Sequence, residues 1–332
     1  MVLGAAMQFV QLKRREFIAL LGGAVAAWPL VAHAQLAKLR TIGVLVLGSP
    51  PPEAFLKGLR DRLRDAGYTE GRNIRLEIRN AEGKADLLPE KASELVRLKV
   101  DIIVAFQTPA ATAAKQATGE IPIVMALVGD PVGTGLVGSY ARPGGNVTGT
   151  AAGSTEVAGK TVELIREVFP SARRFAVLAN ETDPFTTPFL AAMGLAAGSA
   201  DMEMDPLMAQ PGELLDAAFE SMAAKRVAAV VIQGSMVRKE AIDLVMKHRF
   251  PAFGISRELP ATGGLMGYFA NFAEMYLDTA VYIDKILRGA KPADLPVSFP
   301  RKFELVINLK TAKALSIEVP ATLLARADEI IE

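Results

Sequence analysis

The sequence predicts an α/β protein built as two doubly wound parallel-sheet lobes with a cleft between them. Three observations predict it. Apolar strand-like runs alternate with amphipathic helical stretches, the alternation breaks once and then resumes, and small polar residues follow the strands. Alternating strand and helix is the pattern of a parallel sheet covered by helices.

The first run, Thr41 to Leu47, is almost wholly apolar and stops at Gly48-Ser49-Pro50-Pro51-Pro52, as expected of a strand buried on both faces. From Glu53 to Ala66, Phe55, Leu59 and Leu63 recur every four residues among charged neighbours, and Gly67 ends the stretch. That spacing makes an amphipathic helix. Asn73 to Arg79 alternates apolar and polar, giving a strand with one solvated face. A helix at 86–98, a strand at 100–105, a helix at 109–117 and a strand at 121–128 complete the first unit.

Arg142-Pro143-Gly144-Gly145 breaks the rhythm, and Asn146 to Thr150 is expected to carry the chain out of the first unit. Helix 156–169, strand 174–179, helix 188–198, strand 201–207, helix 212–224, strand 227–233, helix 236–248 and strand 251–256 form the second. Beyond it the pattern gives a strand at 263–268, a long helix at 272–288, a strand at 303–307 and a helix from Ala321 to the end.

Ahead of the first strand, Lys13-Arg14-Arg15-Glu16-Phe17-Ile18 leads into an apolar stretch ending Ala32-His33-Ala34-Gln35. Basic, then apolar, then small residues is the order of an export signal, here residues 1–34. Paired arginines before an aromatic favour the twin-arginine route, with an ordinary secretory route as the alternative. The mature protein is then expected to start near Gln35 and to work in the periplasm.

Composition restricts the chemistry. The 332 residues carry a net charge of +1, contain no cysteine and include two histidines, His33 and His248. His33 leaves with the signal. Thiol nucleophiles, cysteine-held zinc and multi-histidine metal sites are thereby excluded, and a catalytic triad would depend on His248 alone. His248 closes a basic helix end, where it suits the helix dipole. No basic stripe suggests nucleic acid. The chain reads as a non-enzyme with no cofactor and no metal, acting as a monomer.

Gly133-Thr134-Gly135-Leu136-Val137-Gly138 matches the dinucleotide-binding pattern but follows the fourth strand of its unit, and Arg142-Pro143 stops any helix it could open. It is the one support for an alternative reading, an exported cofactor-binding oxidoreductase. In open α/β sheets, ligands sit beyond the carboxyl ends of the strands. Those places hold Ser49, Gln107, Thr108 and Asp130 in the first unit, then Asn180, Asp183, Gln233, Ser235 and Ser256 in the second. Each also suits a cap or turn. Together they are a candidate polar cleft, with Tyr268 and Phe269 as candidate aromatic surface.

Gly129-Asp130-Pro131-Val132, Gly135-Leu136-Val137 and Arg142-Pro143-Gly144-Gly145-Asn146-Val147-Thr148-Gly149 resemble the central signature of a family of ABC-transporter substrate-binding proteins that includes tryptophan- and tyrosine-binding members. Gly263 to Met266, Tyr282 to Pro296 and Phe303 to Ala312 are similar to its C-terminal half. The resemblance implies a type I periplasmic-binding-protein fold. It also implies capture of a small, carboxylate-bearing organic ligand, such as an amino acid or aromatic compound, by lobe closure, and its delivery to an ABC permease. On that reading, lobe one takes residues 35–150 plus about 258–298 and lobe two takes 151–257, with 299–332 unassigned. Ser49, Thr108, Asp130 and Asn180 match the family's polar turns. Gln233-Gly234-Ser235 stands where many members carry Asp, and Gly267-Tyr268-Phe269 replaces a frequent Ser-Tyr-Gly. Presentation of a bound solute to a receptor would use the same fold and site.

Overall fold

The computed structural model describes residues 39–48, 53–210 and 215–332. The export signal and Ser49 lie outside them.

Strands β1 (Arg40–Val46), β2 (Ile74–Asn80), β3 (Ile102–Phe106), β4 (Ile123–Val128) and β5 (Val147–Ala151) form one parallel sheet in the order 2-1-3-4-5. Helices α1 (Glu53–Asp65), α2 (Leu88–Arg97) and α3 (Gln107–Ala117) connect them. Phe55, Leu56, Leu59 and Leu63 of α1 are the buried face that the four-residue spacing predicts. A second sheet contains β6 (Arg174–Asn180), β7 (Glu203–Ala209), β8 (Val230–Ile232), β9 (Ala252–Gly254), β10 (Met266–Ala270), β11 (Phe303–Asn308) and β12 (Glu329–Ile331). Its order is 12-11-10-9-8-6-7, with only β10 and β11 antiparallel. Helices α4 (Ser154–Val168), α5 (Thr186–Ser199), α6 (Asp216–Ala224), α7 (Lys239–Lys247) and α8 (Glu258–Thr262) pack around it.

The stretch β7-β6-β8-β9-β10 repeats the order of the first sheet. Each sheet therefore has one switch point, between β1 and β3 in the first and between β6 and β8 in the second. Chain connections leave to opposite faces there and open a crevice at the strand ends. Each sheet is buried on both faces. Ile42, Val44, Ile102 and Val104 face one side of the first sheet, with Leu45, Ile103, Ile123 and Met125 on the other. Phe175, Val177 and Phe253 against Leu178, Val230 and Ile232 do the same in the second.

Several sequence expectations give way here. Residues 147–151 do not leave the first lobe; they are its fifth strand. Strand β10 pairs with β9 and β11 and belongs to the second sheet, while the helix that follows, α9 (Phe272–Leu287), packs on α1 and β4 of the first lobe. The C-terminal tail joins the second sheet through β11 and β12. The helix expected from Ala321 onward is one turn, α11 (Ala321–Leu324), after α10 (Leu309–Leu315), and the chain then runs as β12.

Residues 151–154, 270–272 and 298–303 cross between the lobes. They are tied laterally by Ala151 N–H to Ser298 O (2.9 Å), Ser298 N–H to Gly149 O (3.0 Å) and Asn271 N–H to Lys302 O (2.9 Å). Gly153 takes φ +66° with Pro300 and Phe303 against it. Among the described residues no helix is long and apolar enough to cross a membrane.

Gly149 shows how closely β5 approaches β4. It has φ +135°, and a Cβ there would lie 2.1 Å from the Met125 carbonyl oxygen. The three nearest atoms are all Met125 backbone, which has no room to yield. Gly149→Ala is expected to cost about 3 kcal/mol in strain and overpacking, read as a lower urea midpoint at unchanged slope.

Candidate ligand-binding site

A cavity of about 380 Å³ lies between the lobes, at the size where small-ligand pockets begin. It opens at the two switch points. Leu47, Phe106, Gln107 and Thr108 come from the ends of β1 and β3, and Asp183, Gln233, Gly234 and Ser235 from the ends of β6 and β8.

Two residues on its wall hold unusual backbone. Gln107, the first residue of α3, has φ +68°, and Leu127 has φ +57° at a register shift between β4 and β5. A non-glycine residue pays roughly 1–2 kcal/mol for this left-handed region. Such costs concentrate where a side chain must be aimed, and both residues line the cavity.

The second-lobe wall is a hydrogen-bonded network. Gln233, 1% exposed, accepts the Asn180 N–H at Oε1 (2.8 Å) and donates from Nε2 to Asp183 Oδ2 (3.2 Å). The Thr186 hydroxyl sits between Gln233 Oε1 (2.9 Å) and the Asn180 carbonyl (2.5 Å). Asp183 Oδ2 also accepts the Ser235 hydroxyl (3.1 Å), and its Oδ1 accepts the Phe185 N–H (2.9 Å). Burial raises the Asp183 carboxyl above the ordinary carboxylate value, offset in part by the Phe185 and Ser235 hydrogen bonds. Among the described residues it has no ion-pair partner.

In the first lobe, Thr108 is 3% exposed and its Oγ1 accepts the Gly129 N–H (3.1 Å). The Ser154 hydroxyl, at the start of α4, donates to the Gly129 carbonyl (2.6 Å). Phe185, held by the second lobe's core, reaches across to the bare backbone of Gly129. Five aromatic rings line the cavity: Phe55, Phe106, Phe185, Phe272 and Tyr276. Phe55 stacks on Phe106 (centroids 4.5 Å apart) and meets Tyr276 edge-on (5.3 Å). Burial, with Glu258 nearby, pushes the Tyr276 hydroxyl up to about 12, so it stays a donor at any physiological pH.

Of the residues expected from sequence, Gln107, Thr108, Gln233, Ser235 and Ser256 stand on the cavity wall. Asp130 does not. Its Oδ1 accepts the Val132 and Gly133 N–H groups and the Tyr140 hydroxyl (3.1, 2.9 and 2.9 Å), so it holds its own loop together. Asn180 is buried behind Gln233, its Oδ1 accepting the Thr182 N–H (3.0 Å). Tyr268 lies off the wall, stacked on Phe303 at 5.5 Å. The glycine-rich run at 133–138 forms turns braced by Lys115 Nζ on the Gly135 and Leu136 carbonyls (2.5 and 3.1 Å) and opens no helix. Sequence reasoning missed Phe185, Tyr276, Phe272, Glu53 and Glu258. Phe55 and Phe272 carried only the signal of helix-core positions.

Two lobes of repeated doubly wound order, joined by three crossings beside an interlobe cavity, define the type I periplasmic-binding-protein fold. Residues 41–331 match the family described as ABC transporter substrate binding protein, and the chain belongs to that family of binding proteins, which are not enzymes. A tyrosine-binding protein of Clostridioides difficile (strain R20291) is 28% identical over 286 residues, covering 85% of this chain and 82% of that protein. A conserved domain protein from Vibrio cholerae superposes with a TM-score of 0.82 at 27% identity, covering 88% of this chain and 100% of the other. An ABC domain from Streptococcus pneumonia in complex with L-Trp gives a TM-score of 0.82 at 26% identity, covering 89% and 100%.

Proposed function

We propose that this chain is the extracytoplasmic solute-binding component of an ABC importer. It takes up a small organic ligand of the amino-acid or aromatic class, closes its lobes around it and presents it to a membrane permease. The observation that carries the reading is the interlobe cavity itself, walled by aromatic rings and by polar groups from both switch points. The relatives add weight, since one is named for tyrosine and another was solved with L-Trp. Three neighbouring crossings suit a hinge, which needs only a few residues to absorb the rotation. Closure then follows from the ligand's preference for the state in which both walls touch it. The basic and apolar residues ahead of Gln35 supply export to the periplasm.

The test is thermal-shift screening of the purified protein against amino acids, aromatic acids and aromatic amines, with mass spectrometry of any co-purifying solute. A bound compound at a hundred times its Kd stabilises by about 2.7 kcal/mol, which such a scan resolves readily. A flat response across the panel, with no solute carried through purification, would remove the proposal.

A further inference from the structure

We propose that Asp130 and Tyr140 are positioning residues for lobe closure: they shape the 129–133 loop that receives the opposite lobe, and neither stands on the cavity wall. The inference rests on the solute-binding reading and deepens it by naming a control of the closed state outside the ligand's reach.

Residues 129–133 follow β4 of the first lobe and meet the second lobe at two bare backbone positions. A Cβ at Gly129 would lie 2.2 Å from the Phe185 ring, and one at Gly133 would lie 3.1 Å from the Pro188 side chain. Phe185 and Pro188 stand at the opening of α5. Ser154, at the start of α4, adds a third link through its hydroxyl to the Gly129 carbonyl (2.6 Å). The loop is thus a contact surface between the lobes, and its shape decides whether the second lobe can seat on it.

Asp130 sets that shape. Its Oδ1 gathers the Val132 N–H (3.1 Å), the Gly133 N–H (2.9 Å) and the Tyr140 hydroxyl (2.9 Å). Its carbonyl accepts the Thr134 N–H (3.0 Å) and hydroxyl (2.6 Å). Oδ2 takes part in no hydrogen bond among the described residues and packs toward Gly133, where a Cβ would lie 2.5 Å from it. The acceptor matters here, and the charge does not.

A local turn accounts for the two amide bonds but not for Tyr140. That residue also reaches the third crossing: its ring meets Phe299 edge-on at 4.7 Å, and its carbonyl accepts the Val297 N–H (2.8 Å). Tyr140 therefore touches both places that a hinge motion displaces, the rim loop and a crossing. Burial, with Asp130 beside it, pushes the Tyr140 hydroxyl up to about 12, so it stays a donor at physiological pH. Without this brace the seats for Phe185 and Pro188 are formed only part of the time. The closed fraction falls, and every ligand loses affinity by that same factor.

The experiment uses the absence of cysteine from the chain. Lys84→Cys and Lys239→Cys, both exposed and beyond the carboxyl ends of β2 and β8, take one spin label each. Pulsed electron–electron resonance then reads the gap between the lobes, without solute and with L-tyrosine or L-tryptophan as probes. Tyr140→Phe and Asp130→Ala are expected to shift the solute-free distances toward longer values. For any probe that binds, calorimetry should show a common loss of about threefold to tenfold. Asp130→Asn keeps Oδ1 as an acceptor and should stay within about twofold of the wild type. Unchanged distances in Tyr140→Phe and Asp130→Ala, with or without a lower urea midpoint, reduce the pair to a loop brace and overturn the inference. So does an Asp130→Asn protein that behaves like Asp130→Ala, or a loss that differs between the two probes. If the wild type binds nothing in the screening panel, solute binding falls, while the solute-free distances still decide the role of this pair.

Discussion

Gly129→Val is expected to weaken ligand binding by tenfold or more while leaving both lobes folded. A Cβ at Gly129 would lie 2.2 Å from the Phe185 ring, closer than any side chain tolerates. Phe185 cannot simply step aside, because it is buried and packs on Phe189 at 5.5 Å. The two residues belong to different lobes, so the clash is relieved most cheaply by a slight separation of the walls. On the proposed closing motion, that separation removes contacts the ligand makes only when both walls touch it, and affinity falls with the closed-state population. Tenfold corresponds to about 1.4 kcal/mol, within the 1–3 kcal/mol that overpacking costs. The decisive control is Phe185→Ala. In that background Gly129→Val should cost little further affinity, because the pair would then be uncoupled in a double-mutant cycle. Equal losses in both backgrounds would show that Gly129 acts elsewhere, for instance through its bonds to Thr108 and Ser154.

How much of this was legible beforehand follows from what each feature depends on. The central strands were plain because burial on both faces turns them into unbroken apolar runs, as in Ile42 to Val46 and Ile102 to Ala105. Strand β5 was read as a linker because it is Val-Thr-Gly-Thr-Ala. Its threonines are fully buried yet satisfied, Thr148 donating to the Leu295 carbonyl (2.7 Å) and Thr150 accepting the Leu127 N–H (3.1 Å). Hydrophobic periodicity cannot register a polar residue whose burial is compensated by a partner far away in sequence. Strand β12 is three residues long and exists only because β11 lies beside it.

The site divides in the same manner. Gln107, Thr108, Gln233 and Ser235 were found because strand ends at a switch point are fixed by topology, and topology was readable. Asp130 looked equivalent, but a local turn consumes its carboxylate, and the sequence spacing cannot tell a loop brace from a wall residue. Phe185 and Tyr276 had no signal of their own. One sits in a turn and the other on a helix of mixed burial, and both become wall residues only when the two lobes are set face to face.

Asp183→Asn tests the charge of the wall directly. A ligand of the amino-acid class brings an amine, and Asp183 lines the cavity with no ion-pair partner among the described residues. The expected consequence is a loss of roughly 10- to 100-fold in affinity for such an amine ligand. That range converts from the 1.5–3 kcal/mol of a hydrogen bond to a charged group. Affinity for a ligand without an amine should be unchanged or improved. Some stability is expected to go as well, about 1 kcal/mol, because an amide at this place must set one N–H against donors that now point at Oδ2. The pH dependence supplies a sharper criterion. The Asp183 carboxyl lies above its ordinary value of 3.8 in the folded protein, because of burial. The native state therefore holds this proton more tightly than the unfolded chain. Its contribution to stability is fully present below the unfolded value and is lost as pH rises through the raised one. Amine binding has the opposite sign. It needs the ionised carboxylate, so affinity falls as pH drops through that same raised pKa, and protons are released on binding there. Asp61 and Glu94, whose carboxyls are held low by Lys57 and Lys91 respectively, stabilise the fold with the usual slope and are common to both proteins. Subtracting the Asp183→Asn profile from the wild type isolates the one group. The difference curves for unligated stability and for amine affinity should run in opposite directions over the same pH window. Parallel curves, or an affinity insensitive to pH in both proteins, would place the ligand's charge against some other part of the cavity.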